Sequence, residues 1–107
     1  MNDNLLTHIK TDNQAVTEQV TRLLEFYLAG LESRGIESIT IEVTAEHDGL
    51  GTRLYHCRVR ADNNRQQMMA KIDETQTDLD LAVNRALERC IRILHRKHAR
   101  LRFDISA

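Results

Sequence analysis

Proline and tryptophan are both absent from this chain of 107 residues; glycine occurs four times, and cysteine, phenylalanine and tyrosine twice each. Without proline, and without any glycine- or serine-rich tract, nothing reads as a linker, and no repeat or low-complexity segment interrupts the chain. One domain spanning 1–107 is the expectation. The two cysteines, Cys57 and Cys90, stand alone, which excludes CxxC zinc and thioredoxin-type motifs. They read as buried thiols. No apolar run approaches the roughly 20 residues of a membrane span, and Met1 to Leu6 is too polar for a signal peptide. A cytoplasmic protein with no membrane partner follows. The few aromatics leave little to stack on unpaired bases. Only Phe103 looks exposed, so recognition of nucleic-acid backbone and shape is favoured over base reading.

Hydrophobic residues make up 41% of the chain and charged residues 29%, a balance that suits a soluble globular domain rather than a disordered one. The formal net charge is −1, which by itself does not point to nucleic acid. The charges are segregated, however. From Asn84 onward, Arg85, Arg89, Arg92, Arg96, Lys97, Arg100 and Arg102 face only Glu88 and Asp104, which leaves the remainder acidic.

Leu5 to Lys10 alternates weakly and predicts a short strand. After the polar break Thr11-Asp12-Asn13, Thr17 is the expected N-cap of a first helix, with Val20, Leu23, Leu24, Tyr27, Leu28 and Leu31 at helical spacing and Gly35 as its stop. Ile39, Ile41 and Val43 alternate with Thr40, Glu42 and Thr44, predicting a half-buried strand. Turn residues Asp48-Gly49-Leu50-Gly51 lead to a second strand with Tyr55, Cys57, Val59 and Ala61 on one face and His56, Arg58 and Arg60 on the other. Asp62-Asn63-Asn64 is a further turn, and Met68, Ala70 and Ile72 suggest another strand. Asp78 is the expected cap of a last helix running to about Arg102. The order is β-α-β-β-β-α. The fold expected is α+β, a two-layer sandwich with a four-stranded sheet and two helices on one face, in order like the double-stranded RNA-binding domains.

The last helix carries the strongest functional signal. Arg85, Arg89, Arg92, Arg96 and Arg100 are spaced four, three, four and four apart, and at about 100° per residue they stay within a sector of roughly 80°. Val83, Leu87, Cys90, Leu94 and Leu101 take the opposite side. One side is made for a core. The other presents guanidinium groups, whose forked donors match phosphate oxygens. A solvated face of ordinary charged residues would mix signs, and this sector holds no acid of its own helix. Arg58 on the polar strand face is a secondary candidate, set against ordinary cross-strand pairing with Glu42.

Two strings carry a resemblance. Asn13-Gln14-Ala15-Val16-Thr17-Glu18 is similar to the N-x-x-[I/V]-T-[E/P] opening of the first helix in the ribosome hibernation-promoting factors, also known as ribosome-associated inhibitors or ribosomal subunit interface proteins. Asp78-Leu79-Asp80-Leu81-Ala82-Val83-Asn84 resembles their D-M-Y-x-A-I-[D/N] opening of the last helix, with Asp80 in place of the aromatic residue. The likeness runs from about Leu5 to Arg100. It implies a short-form family member, without the C-terminal dimerisation domain of the long form. It also implies a domain that sits in the small-subunit channel, contacts rRNA, covers the mRNA and tRNA sites and represses translation under stress. Arg89, Arg92 and Arg96 match positions that are basic in the family and are the main expected phosphate contacts. Arg85, Arg100, Lys97 and Arg58 are secondary.

Nothing points to catalysis. Cys57 and Cys90 lie on apolar faces without an activating base. Asp73, Glu74, Asp78 and Asp80 read as helix-capping and loop carboxylates. His95 and His98 lack a third ligand and stand among cations, so no metal is expected. The reading is a non-enzyme with no cofactor and no small-molecule substrate, whose partner is the small ribosomal subunit. The competing reading is a protein-interaction module that takes an acidic protein partner on its basic helix.

Overall fold

The alternation and periodicity seen in the sequence become seven elements: β1 (Leu6–Lys10), α1 (Gln14–Glu25), α2 (Leu28–Glu32), β2 (Ile36–His47), β3 (Arg53–Asn63), β4 (Met68–Gln76) and α3 (Leu79–Ser106). The computed structural model describes residues 5–106, and the side chains of residues 5–97. The sheet runs β1-β2-β3-β4, with β1 parallel to β2 and the other pairs antiparallel. The fold is α+β, with a four-stranded sheet under a helical layer, as expected. The parallel edge strand β1 sets it apart from the double-stranded RNA-binding arrangement.

Alternation decides which sheet face the helices cover. Ile39, Ile41 and Val43 of β2, Cys57, Val59 and Ala61 of β3, and Ala70 and Ile72 of β4 are buried in one core with Val20, Leu24 and Leu31 of α1 and α2 and with Ala82, Val83, Ala86, Leu87, Cys90 and Leu94 of α3. Each buried branched side chain contributes about 1.5–3 kcal/mol relative to exposure. The opposite parity leaves Thr40, Glu42, His56, Arg58, Arg60 and Lys71 on the outer face.

Two local outcomes differ from the expectation. The first helix starts earlier than Thr17 would place it: Asn13 is the N-cap, its Oδ1 accepting from the Ala15 N–H at 2.7 Å. An Asn side chain reaches the orphan donors of the first turn without any help. Thr17 lies inside the helix, where its hydroxyl bonds back to the Asn13 carbonyl at 3.3 Å. The helix then breaks at Phe26 and Tyr27, where the N–H of Phe26 bonds to Leu23 and that of Tyr27 to Leu24, a tighter i→i+3 closure. Tyr27 turns toward α3 and its hydroxyl donates to Asn84 Oδ1 at 2.9 Å. The remaining turn, α2, ends at Gly35, whose φ of +79° is the left-handed stop that glycine permits.

Asp78 caps α3 as expected, with Oδ2 accepting from the Leu81 N–H at 3.0 Å. The helix has 28 residues, about 42 Å at 1.5 Å per residue, and reaches past Arg102.

Candidate nucleic-acid interface

Helix α3 is held by its apolar side. Ala82, Val83, Ala86, Leu87 and Cys90 are fully buried against the sheet, which forces Arg85, Arg89, Arg92 and Arg96 to the solvent side, where all four are exposed. The helix therefore holds its guanidinium groups in a fixed row. The sequence did not show what the neighbouring strand does to that row.

Arg89 is not a free member. Its Nη1 donates to Glu74 Oε1 at 2.7 Å and to the Asp73 backbone carbonyl at 3.1 Å. Glu74 is largely buried, with its side chain 11% exposed. A hydrogen bond from Gln76, joined by the bond and charge of Arg89 and the charge of Arg85, holds its carboxyl below the ordinary value against the opposing cost of burial. The acid was legible: strand alternation puts Glu74 on the same face as Ala70 and Ile72, under the helix rather than in a solvated loop. Lys97 is likewise drawn inward, its Nζ donating to the Met69 carbonyl. Among the described residues, Arg85, Arg92 and Arg96 enter no ion pair, and Glu88 does not bridge to Arg92. The part of the row open to an outside anion is thus Arg85, Arg92 and Arg96. Arg100 lies outside the described side chains, as do His98 and Phe103.

On the outer sheet face Arg58 is exposed but has acids of its own chain for neighbours. Arg58 Nε is 3.3 Å from Asp73 Oδ1, and its Nη1 is 4.0 Å from Glu42 Oε1. Arg60 pairs with Asp62 at 3.0 Å. His56 bridges Glu46 (3.2 Å) and the Thr75 hydroxyl (2.8 Å). Arg58 and Arg60 each stand beside or across from an acid, so these two arginines are engaged in ion pairs of the sheet face itself.

Other features bear on chemistry. Cys57 and Cys90 are buried and unpaired. Burial, with the Glu74 charge adding for Cys57, pushes their thiols up to about 12 and about 11, so neither is a thiolate at neutral pH. Among the described residues no three His, Cys, Asp or Glu side chains are grouped to hold a metal ion, and no described helix is long and apolar enough to cross a membrane. One expectation about aromatics needs correction: Phe26 is 83% exposed. The signal was present in the periodicity: the stripe of Val20, Leu23, Leu24, Tyr27, Leu28 and Leu31 turns Tyr27 to the core and leaves Phe26 on the opposite side.

No protein-family model and no curated protein matches the sequence. Solved structures do match the fold. The N-terminal domain of Protein Y from Thermus thermophilus aligns with a TM-score of 0.59 at 20% identity, covering 88% of this chain and 98% of that one. A ribosomal subunit interface protein from Coxiella burnetii aligns with a TM-score of 0.58 at 11% identity, covering 89% of this chain and 99% of that one. The expected likeness to ribosomal subunit interface proteins is therefore present at the level of the fold, over almost the whole length of both chains.

Proposed function

We propose that this domain is a cytoplasmic ribosome-associated hibernation factor that docks α3 on rRNA phosphates of the small subunit and blocks the mRNA and tRNA sites under stress. The observation that carries the reading is the joint one: the fold is shared with a ribosomal subunit interface protein, and the exposed side of its longest helix presents Arg85, Arg92 and Arg96 without an acid bound to them among the described residues. Guanidinium forks at fixed helical spacing suit phosphate oxygens, and the domain's bulk supplies the occlusion. No bond is made or broken. Arg89 and Lys97 contribute only by leaving their internal partners, and Arg58 competes for phosphate with its exposed neighbours Asp73 and Glu42.

Co-sedimentation with purified small subunits tests this. Wild-type protein should pellet with subunits at low salt and be released as salt rises. The triple change Arg85→Glu, Arg92→Glu, Arg96→Glu should abolish pelleting with an unchanged circular dichroism spectrum. Full retention by the folded triple variant would remove the row from the contact surface. Binding by wild type to an acidic protein but not to subunits would favour the protein-interaction module instead.

A further inference from the structure

β4 is an edge strand, and exposed edges invite pairing with another strand. In an antiparallel ladder successive residues bond alternately to the partner and to the open side. The Asn63 N–H bonds to the Gln67 carbonyl at the hairpin and the Asp73 carbonyl accepts from Arg89, so by this alternation and the strand register Lys71, Asp73 and Thr75 turn their backbone groups to the open side, and Ala70, Ile72 and Glu74 to β3. The open side is not bare. Arg89 donates to the Asp73 carbonyl and Lys97 to the Met69 carbonyl, four residues apart on the strand. A register shift between Ala61 and Asp62 places a bulge at the start of the same strand, a further device that disrupts edge pairing. Two cations from α3 thus act as caps on the acceptors of the edge they overhang.

We infer that the β4 edge is a self-pairing surface, held shut by Arg89 and Lys97, and that its occupant when opened is a second copy of this chain. Charge complementarity selects that occupant. In a two-fold antiparallel pairing centred on Ile72, Lys71 of each copy lies opposite Asp73 of the other, both on the outer sheet face. Within its own chain Lys71 faces Arg60, a like charge, and binds no acid among the described residues, while Asp73 pairs with Arg58 through Oδ1 alone. The central pair is Ile72 with Ile72, and Glu74 lies opposite Ala70, so no like charges oppose one another in this register. The two sheets would join into one of eight strands. Arg85, Arg92 and Arg96 stay on the outer side of the helical layer in both copies. The inference is independent of ribosome binding.

Sedimentation velocity of the full chain, without nucleic acid, tests it. Wild type should run as a single species of 12.4 kDa. The variant Arg89→Ala, Lys97→Ala should run at twice that mass, with circular dichroism unchanged. Adding Lys71→Asp should return it to the monomer by setting Asp against Asp, and adding Asp73→Lys as well should restore the dimer. Lys97→Ala alone, which removes one exposed contact and cannot threaten the fold, should give an intermediate shift. A folded double variant that stays monomeric overturns the inference. So does a wild type that is already dimeric, an association indifferent to Lys71→Asp, or open-ended aggregation in place of a two-fold species.

Discussion

Glu74 and Arg89 show how one residue pair ties stability to the proposed binding surface. The carboxylate lies under the helix, accepts from Gln76 Nε2 and Arg89 Nη1, both at 2.7 Å, and is held below its ordinary value of 4.5. A carboxyl whose value is depressed in the folded state adds stability that is complete above its unfolded value and fades as pH falls through the folded one. Glu74→Gln should therefore lower stability by about 1 kcal/mol at neutral pH, the scale of a half-exposed charged hydrogen bond. The gap from wild type should close as pH falls below 4.5. Urea midpoints measured at neutral and acid pH check this, and a gap that stays constant with pH would deny the ionic part of the bond. The same variant frees Arg89. Its affinity for small subunits should rise while its stability falls, a pairing of signs that a purely structural defect would not give.

At the scale of elements, the sequence revealed most where pattern and cap coincide. β2 and β3 were legible because β-branched residues alternate with polar ones over many positions, and α3 because an acidic cap precedes a long apolar stripe. Asp78 accepts from the Leu81 N–H, so Asp78→Ala should cost about 1 kcal/mol, read as a lower thermal midpoint with little change in helical signal. Asp78→Ser should recover most of that loss, since a hydroxyl can fill the same cap. If Ser does no better than Ala, the cap is not the reason. The break at Phe26 and Tyr27 was not legible, because Leu23, Leu24, Tyr27, Leu28 and Leu31 keep helical spacing through it; a tertiary bond from Tyr27 to Asn84 accompanies the break. The arginine row was legible as a face but not as a set of partners. Helical periodicity says which side of α3 a guanidinium leaves from, while the acid and the carbonyl that hold Arg89 belong to β4, 15 and 16 residues away in sequence.

For the whole molecule, a net charge of −1 means that no global field draws it to a polyanion. Attraction must come from the local row, and its size sets the salt dependence. In the proposed complex, three phosphate contacts from Arg85, Arg92 and Arg96 would give a slope of log affinity against log salt of about −2 to −3, taking about 0.7–0.9 per contact. Arg92→Ala should reduce that slope by close to one contact. Arg89→Ala should reduce it much less, because its guanidinium is already committed to Glu74 and Asp73. It should still weaken binding at every salt concentration, since the uncovered Glu74 carboxylate lies close enough to Arg85 to feel its charge. Filter binding or sedimentation with purified small subunits over a salt series separates the two effects. Equal slope changes for the two variants would mean that Arg89 leaves Glu74 to meet a phosphate on binding. The row would then have four members in the complex, and the β4 edge would lose one of its caps at the moment the ribosome is engaged.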